Sequence, residues 1–297
     1  MTDERKSYRT GMISVICCMV IWGFMPIYWK SLIPISSYVI ILYRIFLSWV
    51  TCFVGALKAY GIKELAAPLK DKKKLATMIL AGLVITVNWN TYIYAINSGQ
   101  AIETCIGYYI DPLVVCVFGI LFFKERPTKY KFISIIFACI GVFIVLIYFM
   151  RVPIIALSLA LSFATYTAMK KHLKMPALIS LFYELLCLAP IALVILISTE
   201  IRGVGAFSAA QPHQLLLLAL IGVFTSAPLA LFAVGTNRIS MISIGIIEYI
   251  GPSITLLIGI FLFREPFDLV QFIAFAVIWV GLIFFTYGEI KENRKNG

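Results

Sequence analysis

The chain has 297 residues, 62% of them apolar and only 13% charged, with a formal net charge of +11 and a mean hydropathy of +0.98. Soluble domains carry about a quarter charged residues, and a soluble chain this apolar would expose large aggregating patches. Nucleic-acid binding, zinc-finger and disulfide-scaffold readings are excluded, and an all-α integral membrane protein with the lipid bilayer as its solvent remains.

At about 20 residues per span, the hydropathy predicts ten transmembrane helices. The first, 11–29, follows Arg5, Lys6 and Arg9. It is too long for a signal-peptide core and lacks an AxA-like exit, so it reads as a retained span. Trp22 lies deep enough in it to line a cavity, whereas Trp29 and Lys30 read as interfacial anchors. Span two, 37–57, carries Arg44. Span three, 75–96, ends in VNWNTYIYAIN, where Asn90, Tyr94 and Asn97 share a face, with Asn88 and Trp89 beside it. Span four, 101–123, has Glu103 near one end and Tyr109, Asp111 and Pro112 at its centre. Spans five (130–149) and six (153–169) are followed by span seven, 177–198, with Glu184 inside. After span eight (215–235), span nine (239–263) places Gly245, Glu248, Pro252 and Gly259 on one face, suited to a cavity or to close helix approach. Span ten covers 269–287.

Basic residues alternate between loops. One side holds Arg5, Lys6, Arg9, the lysines at 58, 63, 70, 72, 73 and 74, the Lys124–Lys131 cluster, Lys170, Lys171, Lys174, Arg238, Lys291, Arg294 and Lys295; the other keeps only Lys30, Arg151, Arg202 and Arg264. The positive-inside rule then puts both termini in the cytoplasm. All seven cysteines fall in apolar runs without a CxxC pair and read as packing residues.

The chain also matches itself at an offset of 140 residues: YIDPLVVCVFGILFFKE (109–125) lies over YIGPSITLLIGIFLFRE (249–265). Tyr109 meets Tyr249, Pro112 meets Pro252, Gly119 meets Gly259, and Glu125 meets Glu265. Residues 1–150 and 151–297 thus form two repeats of five spans. An odd number of spans turns the second repeat upside down, the architecture of transporters with a site at the repeat interface.

A charge at the bilayer centre costs about 2.5–3.5 kcal/mol on insertion scales, so each one needs a reason. Arg44, Asp111, Glu184 and Glu248 are such charges. Asp111 precedes Pro112, and Glu248 precedes Gly251–Pro252, where a helix loses a backbone bond and can open. Two readings stay open: a solute site, or an electrostatic truss in which Arg44 neutralises an acid and locks helices together. The asparagines likewise serve either a ligand or a helix interface. No HExxH, GxSxG or P-loop pattern is present, and His172 and His213 lie in loops. No enzyme, metal site or cofactor is expected.

The runs WGFMPIYWK, NWNTYIYAIN, Glu103, GYYIDP, KER, VPIIAL and IEYIGP, in this order and spacing from Trp22 to Trp279, resemble the RarD family of EamA-type drug/metabolite transporters. The resemblance implies ten helices in two inverted repeats, a central cavity, alternating access, and export or exchange of small metabolites or drugs across a bacterial inner membrane. The family name is associated with chloramphenicol sensitivity. Asp111 stands where the family usually has Asn, and Glu248 where it usually has Gln. Val39 and Tyr43 replace an acid and a His near the retained Arg44.

The expectation is a transporter of a small amphipathic organic solute. Asp111 and Glu248 would recognise charge or take up a coupling proton, and Arg44 would bias them or receive an anion. Asn88, Asn90 and Tyr94 would offer hydrogen bonds, Trp22, Tyr109 and Tyr249 aromatic walls, and Pro112 and Pro252 hinges. An uncoupled uniporter or exchanger and a non-transporting scaffold or sensor are the alternatives. Gly119 and Gly259 suit either a homodimer contact or packing within the chain.

Overall fold

The computed structural model describes residues 3–97, 101–149, 154–264 and 269–295. Arg151, Glu265, the 150/151 repeat boundary and the side chains of Asn97, Glu103, Cys105, Arg294 and Lys295 lie outside the described residues. The elements are α1 (Asp3–Ser31), α2 (Ser37–Ala66), a 3₁₀ turn (Ala67–Lys70), α3 (Lys72–Asn97), α4 (Ala101–Phe123), α5 (Lys129–Phe149) and α6 (Ile154–Leu173). They continue with α7 (Ala177–Leu185), α8 (Leu188–Ile201), α9 (Ala206–Ala209), α10 (Pro212–Thr236), α11 (Met241–Glu248), α12 (Ile250–Phe261) and α13 (Leu269–Lys295).

Among the described residues, eight helical segments are long and apolar enough to cross a membrane, or nine if α7 and α8, bent by 55°, form one span. Segment α6 is not among them, although it occupies the place of the sixth predicted span. Its Ser158, Ser162, Thr165, Thr167, Lys170 and Lys171 dilute the apolar face, and they do so for identifiable reasons given below. Helix α2 runs beyond the predicted end at 57 and breaks at Gly61, whose φ of 77° suits a residue without Cβ. At Tyr249 the ninth span breaks into α11 and α12. Pro252, lacking an N–H, leaves the Glu248 carbonyl without its helical partner. Helix α4, by contrast, continues through Pro112.

Helix starts at Ser37, Lys72, Ala101 and Lys129 recur at Ala177, Pro212, Met241 and Leu269, the same offset of 140. Packing follows this register. Helix α3 packs on α6 as α10 does on α1; α4 packs on α6 as α12 does on α1; and α3 packs on α7 as α10 does on α2. The pairs α4–α11, α5–α13 and α2–α7 join equivalent helices of the two halves. Small residues allow the closest of these approaches. A Cβ at Gly82 would collide with the backbone of Glu184, and one at Gly119 would lie 2.8 Å from Met241 Cβ, so Gly119 is spent on packing within the chain.

Tyr8 of α1 and Glu289 of α13 meet at one end of the bundle, here called the terminal end. There the Tyr8 hydroxyl is 3.0 Å from both carboxylate oxygens of Glu289, which pairs with Lys131 at 3.1 Å.

Candidate functional site

The half of the bundle away from the termini encloses a cavity of about 430 Å³, within the range of small-molecule sites. Its walls come from the second half of α1 (Met19 to Trp29), Arg44 of α2, the Ile85–Tyr92 face of α3 and Gly107–Pro112 of α4. Leu159 and Phe163 of α6, Phe224, Thr225 and Leu229 of α10, Glu248, α12 and the start of α13 complete it.

The floor is acidic. Asp111 and Glu248 both line the cavity, 8% and 4% exposed, and each lies in the electrostatic field of the other. Neither oxygen of Glu248, nor Oδ1 of Asp111, has a hydrogen-bond partner among the described residues. Leaving a polar group buried without a partner costs about 1–3 kcal/mol, and more when it is charged. The α4–α11 packing that brings the acids together depends on Gly245, which lies against the Pro112 carbonyl and Cys116. The Tyr249 hydroxyl donates to the Tyr109 carbonyl at 3.0 Å, tying the break after Glu248 to α4.

Arg44 sits higher, on aromatic faces. Its guanidinium carbon is 4.2 Å from the Trp89 ring centre and 5.4 Å from that of Trp29. Stacking of this kind holds a guanidinium while leaving its N–H edge available for a ligand. Arg44 forms no ion pair among the described residues, and its Nε has no partner. The truss between Arg44 and the central acids is therefore absent. The truss that does exist uses Glu184: Lys170 Nζ pairs with Glu184 Oε1 at 2.5 Å, Ser180 donates to the same oxygen at 2.6 Å, and Tyr166 donates to Oε2 at 2.9 Å.

Below the acids the terminal end is tied shut. Glu125, just after α4, accepts from the backbone N–H groups of Met241 and Ile242 at 2.8 and 3.0 Å, so it caps α11 from another element. Lys171 of α6 lies 3.6 Å from Glu125 and donates to the Ile239 carbonyl. The Cys116 thiol, 2% exposed, donates to the Ile242 carbonyl at 3.6 Å immediately above this cap.

The sequence matches the EamA-like transporter family twice, over residues 9–147 and 150–287. The chain belongs to that family. It is 38% identical over 296 residues to the "Uncharacterized transporter YojE" of Bacillus subtilis, covering 98% of each chain. It is 31% identical to "Protein RarD" of Streptomyces exfoliatus, covering 97% of this chain and 91% of that one, and 28% identical to "Protein RarD" of Escherichia coli, covering 98% and 99%. A solved crystal structure of a protein 14% identical superposes with a TM-score of 0.71 over 92% of this chain and 96% of the other, a likeness of fold alone.

Within this EamA-like chain the cavity gathers Trp22, Arg44, Asn88, Tyr109, Asp111, Pro112, Glu248 and Pro252. Asn88 is already engaged: its amide donates to the Leu159 carbonyl at 2.9 Å and to Ser162 at 3.0 Å, joining α3 to α6 and accounting for one polar residue of α6. Asn90 and Tyr94 do not line the cavity. Asn90 returns its amide to the Thr86 carbonyl one turn back, and Tyr94 is 63% exposed, because α3 turns their face away from the bundle. Tyr249 is buried beside the cavity rather than on its wall. Trp29, expected as an interfacial anchor, instead faces Arg44 across the cavity. Tyr92 and Tyr108 are lining residues that sequence reasoning missed, although Tyr92 follows Asn88 by four residues and Trp89 by three, which puts it beside both on the helix surface.

Proposed function

We propose that this family member is a secondary transporter, an exporter or exchanger of a small amphipathic organic solute, working by alternating access between two inverted five-helix repeats of ten spans in all. Supporting the ten-span arrangement are the helix starts that recur at a single offset and the α6 segment, whose polar residues are used in contacts with α3 and α7. The positive-inside alternation assigns the terminal end to the cytoplasm of a bacterial inner membrane. On that assignment the conformation is outward-facing: the cavity occupies the outer half, while the Glu125 cap and the Glu289 tie close the cytoplasmic half.

The observation that carries the reading is the unpartnered acidic floor of an aromatic cavity. In a structural truss those carboxyl oxygens would be bonded, as those of Glu184 are. Open acids in a solute path are neutralised by what the cavity admits, a proton or a cationic group. Asp111, Cys18, Cys116 and Tyr249 lie in the electrostatic field of Glu248.

The test is counterflow in proteoliposomes against a panel of amino acids, polyamines, nucleosides, vitamins and chloramphenicol, at two external pH values. Solute-accelerated exchange that loses its pH dependence in Glu248→Gln supports a transporter with a titrating floor. Exchange with unaltered pH dependence in a well-folded Glu248→Gln protein removes Glu248 from coupling, and no exchange for any solute refutes transport.

A further inference from the structure

The cavity is lined by ionisable side chains of opposite sign, Arg44 at one level and Asp111 and Glu248 at another, and none of the three is ion-paired among the described residues. Arg44 lies in the electrostatic field of the Tyr28, Tyr92 and Tyr108 hydroxyls, and Tyr108 precedes Asp111 by one turn of α4. Resting on the transport reading above, and deepening it, we propose that the solute is amphoteric. Its anionic group meets the guanidinium of Arg44, its amine meets the Asp111–Glu248 floor, and an aromatic or apolar middle lies between the two.

Three features of the site favour this solute over a simple cation or anion. A cation alone would leave Arg44, stacked on Trp89, with no counter-charge among the described residues. An anion alone would leave the unpartnered oxygens of Asp111 and Glu248 without a donor. Arg44 also lies against two indoles, and a guanidinium held by its faces binds a carboxylate through two parallel hydrogen bonds from its edge.

The experiment measures thermal stabilisation of the purified full-length protein in detergent as a function of ligand concentration. The probe is 4-(aminomethyl)benzoate, compared with 4-ethylbenzoate, which lacks the amine, and 4-ethylbenzylamine, which lacks the carboxylate. The amphoteric probe is expected to reach half-maximal stabilisation at a concentration at least tenfold below the other two. In Arg44→Gln its advantage over 4-ethylbenzylamine should fall to within twofold, and Arg44→Lys should restore part of it. In Glu248→Gln its advantage over 4-ethylbenzoate should fall in the same way. Equal responses to a single-charge analogue, an advantage that survives Arg44→Gln, or no response to any probe would each overturn the proposal. The wild-type comparison needs no variant to fold. Counterflow of any panel solute, read separately, leaves the transport reading standing when the amphoteric one fails.

Discussion

Replacing Glu125 by Gln should open the terminal end. The carboxylate holds two backbone N–H groups at the start of α11, at 2.8 and 3.0 Å, and lies 3.6 Å from Lys171, with the two side chains 15% and 17% exposed. Gln keeps one acceptor oxygen and loses the charge. Losing a helix N-cap costs about 0.5–2 kcal/mol, and an anion at a helix N-terminus is worth about 0.3–1 kcal/mol. A combined loss of about 0.8–3 kcal/mol falls wholly on the conformation in which α4 and α11 are tied. The closed-to-open ratio at that end therefore shifts by about 4–140-fold. Cys116 reports it, since its thiol is buried directly behind the capped turn. In a protein retaining Cys116 as its sole cysteine, a membrane-impermeant thiol reagent applied from the terminal side should modify it at least about fourfold faster after Glu125→Gln, by the same arithmetic. An unchanged rate in a variant that melts like its parent would show that the cap is static and would refute its role in closure.

Lys170→Met should destabilise the fold by about 3–5 kcal/mol because it leaves the Glu184 carboxylate, 2% exposed, without its cation. The double variant Lys170→Met/Glu184→Leu should recover most of that loss, and a reversible unfolding series that shows simple additivity would count against the pair. Gly82→Ala should cost about 1–3 kcal/mol, since its Cβ meets the Glu184 backbone rather than a flexible side chain; wild-type melting would mean that α3 and α7 are not locked there. Asp111→Asn and Glu248→Gln should melt no lower than wild type, because the carboxyl oxygens named above lose no protein partner. A clear drop in melting temperature would reveal a structural bond. Asn90→Ala should leave ligand response within twofold of wild type, because that amide returns to its own helix, and a larger effect would place Asn90 in the solute path.

Helix positions were legible because hydropathy at span length is a strong signal, and the repeat was legible because tyrosine, proline and glycine recur at one offset. Arg44, Asp111, Glu184 and Glu248 were legible too, since charge inside a span is rare. Their partners were not. Glu184 is satisfied by Lys170, which sequence reasoning had placed among the loop cations because span six was ended at residue 169. One helical turn of depth at the end of α6 decides between water and a buried ion pair, and span boundaries read from hydropathy are uncertain by that amount. Trp29 and Asn90 failed for a related reason. Periodicity gives the angle between residues on one helix but not the rotation of that helix against its neighbours, so a correct face was assigned to the wrong surroundings.

The 140-residue register explains why the same chemistry looks so different in the two halves. Lys30 and Arg44 occupy the positions that Lys170 and Glu184 occupy in the second repeat. In the second half the two residues bear opposite charges, pack together and are 3% and 2% exposed. In the first half both are cations and stay apart: Lys30 lies over the Phe263 ring at 3.7 Å, and Arg44 over Trp89. On the inverted arrangement proposed above, these are the same site seen from opposite sides of the membrane, one open and one collapsed. Among the described residues the second-repeat pair neutralises itself, whereas the first-repeat pair has no internal counter-charge. A buried ion pair is held only by members that neutralise each other, which is why Lys170 and Glu184 pack together while Lys30 and Arg44 rest on aromatic rings.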